Sequence, residues 1–226
     1  MAKILMIETS TDLCSVALEK DGAVIASRRS DIPRLHASMT AVYCDEVLRE
    51  AGLAAADLDA VCVSAGPGSY TGLRVGLSTA KGLCFGTGAK LLCVCSLDVL
   101  AQMALQKGLV QEDTMAIVPM IDARRMEVYT ALYSPQGERR SEVEAKIVDE
   151  NSFKDIARSA VFIGDGALKC RDTIGAGIYE GCCPEAAAMA PLAEREYAAL
   201  NWKDVAYEEP FYLKDFTVTQ SKKKLF

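Results

Sequence analysis

The order of apolar and polar positions along the chain predicts an α/β protein. Residues 3–8, 14–19 and 23–28 read as short strands, and Asp21-Gly22 between the last two is a strong hairpin signal. From His36 onward the pattern changes. Met39, Val42, Tyr43, Val47 and Leu48 recur at helical spacing, and Gly52 follows as a stop. A strand at 60–65 then runs into the loop Gly66-Pro67-Gly68-Ser69-Tyr70-Thr71-Gly72, after which residues 73–85 read as a second helix. A strand at 90–95 and a helix over about 97–107 complete a first unit.

A second unit opens in the same way. An apolar strand at 115–121 ends on Asp122 and doubles back into a hairpin partner at 127–133, much as the first strand ends on Glu8. The parallel between Ile7-Glu8-Thr9 and Ile121-Asp122-Ala123 predicts a duplicated supersecondary unit. Beyond it the pattern predicts a helix at 151–157, a strand at 160–164 and a long helix at 185–200. The expected organisation is two tandem related subdomains, residues 1–105 and 106–226, the second reduced and carrying the C-terminal helix and tail.

Composition narrows the function classes. The 226 residues are 50% hydrophobic and 25% charged, an ordinary globular balance that supports a sizeable core. The net charge of -6 leaves no basic surplus for a phosphate backbone, so independent nucleic-acid binding is not expected. Lys222-Lys223-Lys224 reads as a solvated tail. The apolar run after Met1-Ala2-Lys3 stops at Glu8, too short for a membrane span, and no signal precedes it, so a cytoplasmic location is expected. The nine cysteines are odd in number, lack any Cys-x-x-Cys spacing and read as reduced core residues, which fits the cytosol.

Four segments, in this order, resemble the TsaB (YeaZ) family. They are Ile7-Glu8-Thr9-Ser10-Thr11 with Cys14-Ser15-Val16-Ala17-Leu18; the loop from Gly66 through Gly72 with Leu73-Arg74-Val75-Gly76; Ile121-Asp122-Ala123-Arg124 with Glu127-Val128-Tyr129; and Pro210-Phe211-Tyr212-Leu213. The resemblance implies a shortened actin-like ATPase (ribonuclease H-like) fold. It also implies a non-catalytic partner subunit that binds and activates a TsaD-type catalytic subunit. With a TsaE-type ATPase, such a complex places threonylcarbamoyl on the adenosine next to the anticodon of tRNAs. TsaB-type chains are similar in pairing through their first two long helices, with TsaD or with themselves, which implies a homodimer when alone and tRNA reached only through the complex.

Residue patterns on those helices give the partner site. Gly72, Gly76, Ala80 and Cys84 recur every four residues as a ridge of small side chains, beside an apolar stripe of Met39, Tyr43 and Val47. With His36, Leu73 and Leu77 these make the expected partner-binding set: His36, Met39, Tyr43, Val47, Gly72, Leu73, Gly76, Leu77 and Ala80.

Catalytic and cofactor residues are harder to find. In actin-like ATPases an acidic residue and a glycine-containing turn after the first strand hold metal-bound phosphates, since only bare backbone approaches them closely. Here Glu8, Thr9, Ser10 and Asp122 form a candidate vestigial nucleotide site, but neither strand-end turn contains glycine. No cofactor is therefore expected on the isolated chain, with ATP or ADP only within the complex. The TsaD-type metal site uses two histidines one helical turn apart. His36 matches the first, Thr40 stands at the second, and the chain has one histidine, so no metal and no catalytic residue is assigned. The 66–72 loop lacks the Gly-Lys-Ser/Thr ending of a P-loop, and Pro67 removes a donor. It reads as a turn that sets the following helix, as does Gly164-Asp165-Gly166. The alternative is a stand-alone actin-like enzyme: a small-molecule kinase using Glu8 or Asp122, or a TsaD-like metal peptidase, whose Glu-Thr-Ser the first turn shares.

Overall fold

Strands β1 (Lys3–Glu8), β2 (Cys14–Lys20) and β3 (Ala23–Ser30) form an antiparallel meander in the computed structural model, which describes residues 2–32 and 35–214. β4 (Ala60–Ser64) and β5 (Lys90–Val94) add to the other edge of β1, both parallel to it, giving the order β3-β2-β1-β4-β5. The second sheet repeats this plan. β6 (Ala116–Asp122), β7 (Glu127–Thr130) and β8 (Glu144–Ile147) are antiparallel, while β9 (Ala160–Ile163) and β10 (Ile178–Glu180) run parallel to β6, in the order β10-β9-β6-β7-β8. Two copies of one mixed five-stranded topology confirm the duplication and give the actin-like, ribonuclease H-like fold.

Helix α1 (His36–Glu50) and α2 (Tyr70–Thr87) cover one face of the first sheet. Leu5, Ile7, Val16, Leu18, Val61 and Val63 meet Tyr43, Val47, Leu48, Leu77 and Ala80 there. The opposite parity of β1, Ile4 and Met6, points into a second core that is continuous across both halves. Two further helices fill it. α3 (Ser96–Gln106) follows the first sheet but packs on β6 and β9 of the second, whereas α5 (Ala190–Ala198) follows the second sheet and packs on β5 and β1 of the first. α4 (Ala167–Ile174) lies on the outer side of the second sheet.

Several elements depart from the sequence-based expectation, each for a local reason. α2 starts at Tyr70, earlier than residue 73, because the Ser69 side chain caps it by accepting from the Gly72 N–H at 3.3 Å. The helix expected at 151–157 is a series of turns with a short 3-10 segment at Ala157–Ser159, since Phe153 adopts a left-handed φ of 62° that no α-helix contains. The long helix expected at 185–200 becomes a 3-10 turn, Ala186–Met189, followed by α5, with Pro191 in its first turn where its missing N–H costs no hydrogen bond. β8, β10 and α4 are too short to show a period. The Lys222-Lys223-Lys224 run lies outside the described residues. No helix among the described residues is long and apolar enough to cross a membrane.

Candidate functional site

Glu8, Thr9 and Ser10 leave the C-terminal end of β1, and the glycine face of α2 closes over them. The Ser69 N–H donates to Ser10 O at 2.6 Å, and Thr9 Oγ1 donates to Gly72 O at 2.8 Å. A Cβ on Gly68 would lie 2.2 Å from Ser10 O, one on Gly72 2.0 Å from Thr9 O, and one on Gly76 2.3 Å from Thr9 Oγ1. The glycine spacing thus serves the chain's own packing: it lets a helix sit directly on a strand-end turn. Thr9 and Ser10 are fully buried as a result, so their hydroxyls face protein rather than an open phosphate site.

Glu8 is buried with them. Its Oε1 accepts from the Ser10 N–H at 2.6 Å, while Oε2 has no hydrogen-bond partner. Burial pushes its carboxyl up to about 7, against the opposing pull of the Ser10 donor. A second buried glutamate, Glu19 on β2, is raised to about 8, first by burial and then by the neighbouring Glu194 carboxylate of α5. Both folded values lie above the unfolded one, so folding takes up protons, and this part of the stability is complete below about pH 4.5. Glu8's share is lost as pH rises towards 7. Glu8→Gln should therefore gain on wild type between pH 5 and 8 by on the order of 3 kcal/mol. Urea midpoints measured at both pH values check this, and a wild-type-to-variant difference independent of pH would refute it.

The second half treats its strand end differently. Asp122 sits at the surface, where its Oδ1 accepts from the Arg124 N–H and from Lys169 Nζ, both at 2.6 Å. The Asp122 N–H donates to Asp165 Oδ1 at 2.9 Å, and burial raises Asp165 to about 6. The glycines flanking Asp165 are also packing glycines, since a Cβ on Gly164 would lie 2.1 Å from Met120 O. Of the four candidate nucleotide-site residues, three are sealed inside the first half and Asp122 is held in an ion pair with Lys169.

The residues expected at a partner surface are turned inward as well. Tyr43, Val47, Gly72, Leu73, Gly76, Leu77 and Ala80 are buried beneath α1 and α2, and Met39 packs against that core half-buried. His36 is buried with Nε2 3.3 Å from Leu13 O, and the Thr40 hydroxyl donates to His36 O at 2.7 Å. No group of three His, Cys, Asp or Glu side chains among the described residues is arranged to hold a metal. The outward faces carry other residues. Phe85 is 88% exposed, Val42 is 42% exposed, and added Cβ atoms on Gly82 and Gly86 would meet nothing within 4 Å. Between the helices lies a groove of about 230 Å³ lined in part by Ala41, Leu48, Leu53, Thr79 and Leu83. Helical spacing sets residues 78, 82 and 85 on the side opposite 73, 77, 80 and 84 without saying which side meets the sheet.

Two of the motif segments meet in space. The Phe211 N–H donates to Ala65 O at 2.7 Å, the Tyr212 ring lies tilted against Tyr70 with centroids 4.9 Å apart, and Arg74 lies 3.9 Å above the Tyr70 ring while its Nε donates to Tyr212 Oη at 3.0 Å. The segment then reaches the second half, where Lys214 pairs with Glu127.

Residues 30–206 match the family model described as TsaD, tRNA N6-adenosine threonylcarbamoyltransferase. The tRNA threonylcarbamoyladenosine biosynthesis protein TsaB of Escherichia coli is 30% identical over 224 residues, covering 94% of this chain and 95% of its own length. The chain belongs to the TsaB family. TsaB of Bacillus subtilis is 31% identical over 170 residues, 71% of this chain and 70% of that protein. The solved structure of YeaZ from Pseudomonas aeruginosa superposes with a TM-score of 0.83 at 29% identity, covering 94% of this chain and 100% of the other. The clamped β1 turn, the glycine loop and the docked 210–213 segment are thus features of a TsaB-family chain whose fold matches YeaZ almost throughout.

Proposed function

We propose that this TsaB-family chain is a non-catalytic partner subunit in the biosynthesis of threonylcarbamoyladenosine in tRNA, binding and activating a TsaD-type catalytic subunit. The observation that carries this reading is the outer face of α2. Glycine inside a helix costs about 1 kcal/mol relative to alanine. At Gly72 and Gly76 the packing of Thr9 explains that cost, whereas Gly82 and Gly86 face open space beside an almost fully exposed Phe85. An aromatic anchor flanked by bare backbone, next to an apolar interhelical groove, suits the close approach of another helix. A TsaD-type subunit in the complex, or a second copy of this chain in its absence, fills that role.

The sealed strand end supports the non-catalytic part. Thr9 and Ser10 are enclosed, His36 is spent on a backbone contact, and Asp122 is paired with Lys169. ATP or ADP, the TsaE-type ATPase and tRNA are then engaged by the assembled complex. The test is size-exclusion chromatography and calorimetry of the purified chain mixed with the TsaD-type subunit of the same cell, with ATP turnover measured on the chain by itself. A stable complex and no turnover are expected. Separate elution of the two proteins, or turnover by this chain, would reject the reading.

A further inference from the structure

The turn joining β6 to β7 holds two consecutive arginines in a backbone conformation that arginine rarely adopts. Arg124 has a φ of 71° and Arg125 a φ of 50°, both in the left-handed region. The turn is pinned from below. Lys169 Nζ donates to Asp122 Oδ1, to Arg125 O at 2.8 Å and to Glu127 O at 2.7 Å, and the Arg124 N–H donates to Asp122. Glycine or asparagine would adopt this geometry with less strain, so local folding does not account for arginine at either position.

Both side chains are exposed, and among the described residues neither guanidinium has an ion-pair or hydrogen-bond partner. The acidic groups at the base of the turn are already paired, Asp122 with Lys169 and Glu127 with Lys214. In a chain of net charge -6, this leaves a rigid prong carrying two uncompensated positive charges. The prong belongs to the second half, whereas the outer α1 and α2 face belongs to the first.

Resting on the reading of this chain as a partner subunit, we infer that Arg124 and Arg125 contact backbone phosphates of the tRNA once the complex has formed. The guanidinium fork matches a phosphate bidentately, and two such contacts add to affinity without sequence preference. The chain's net charge of -6 means that these two contacts are an addition to binding by the whole complex and not an independent RNA site.

The test uses the assembled complex of this chain with its TsaD-type subunit and labelled, unmodified tRNA, with affinity measured by fluorescence anisotropy across about 50 to 200 mM salt. The double variant Arg124→Asn with Arg125→Gly removes both charges while placing residues that favour the left-handed turn. It should keep or raise the melting temperature and leave assembly of the complex unchanged. It should weaken tRNA binding about tenfold and lower the slope of log affinity against log salt by about one to two. Arg124→Lys with Arg125→Lys should keep most of the slope. Unchanged affinity and slope in the Asn-Gly variant would overturn the inference. So would loss of assembly, because the arginines would then serve the protein partner. Failure of the wild-type proteins to assemble would instead reject the partner-subunit reading and this inference with it.

Discussion

Gly72→Ala is expected to destabilise the folded chain by about 3 kcal/mol or more, the cost of forcing an added methyl into a closed contact. The methyl would stand 2.0 Å from Thr9 O, a backbone atom at the end of a buried strand, so no side-chain movement relieves the clash. α2 and the β1 turn would have to separate, breaking the Thr9-to-Gly72 and Ser69-to-Ser10 hydrogen bonds. Gly68→Ala meets Ser10 O at 2.2 Å and should behave alike. Gly82→Ala, two turns or more further along the same helix, meets nothing and should stabilise by about 1 kcal/mol. Chemical denaturation of the three variants decides the matter, and equal shifts for Gly72→Ala and Gly82→Ala would show that the glycine face is not a clamp. Gly76→Leu belongs with the clamp residues, since its side chain would drive into Thr9. It reports on folding rather than on association.

On the proposed function, association should be read by the opposite face. Gly82→Arg and Phe85→Glu should each weaken binding to the TsaD-type subunit by about a hundredfold, the size of an interface hot spot, on the order of 3 kcal/mol. Neither should change the melting temperature by more than a few degrees, because Gly82 lies against open space and Phe85 is exposed in the free chain. Calorimetric titration alongside thermal unfolding separates the two effects. Wild-type affinity in both variants would place the interface elsewhere on the chain.

Most of the first half was legible in the sequence because its elements are long and strongly periodic, as α1 and α2 are, or are punctuated by turn residues such as Asp21-Gly22. The duplication was legible from two strands ending on an acid and doubling back, and the repeated strand order bears it out. Short elements of the second half were not. β10 has three residues and α4 only eight, too few to display a period, and Phe153 breaks an otherwise helical pattern through a backbone conformation that composition does not reveal.

The proposed partner face shows a different limit. Spacing placed Gly72, Gly76 and Ala80 on one side of a helix, but two faces of α2 carry small residues, and periodicity does not say which of them meets the sheet. The approach of Thr9 and Ser10 settles that, turning Gly76 inward and leaving Gly82 and Phe85 outside. Nothing in the sequence pattern singles out Arg125, and Arg124 stands there only as part of a motif segment. Their left-handed backbone and missing counter-charges emerge only in three dimensions.

The most direct test of the central claim is reconstituted threonylcarbamoyl transfer to tRNA, using the TsaD-type subunit, the TsaE-type ATPase and the activated donor, with and without this chain. Product should form only when the chain is added, Phe85→Glu should abolish that stimulation, and the chain without the TsaD-type subunit should yield none. Equal product in its absence, or product from this chain without the catalytic subunit, would contradict its assignment as an activating, non-catalytic partner.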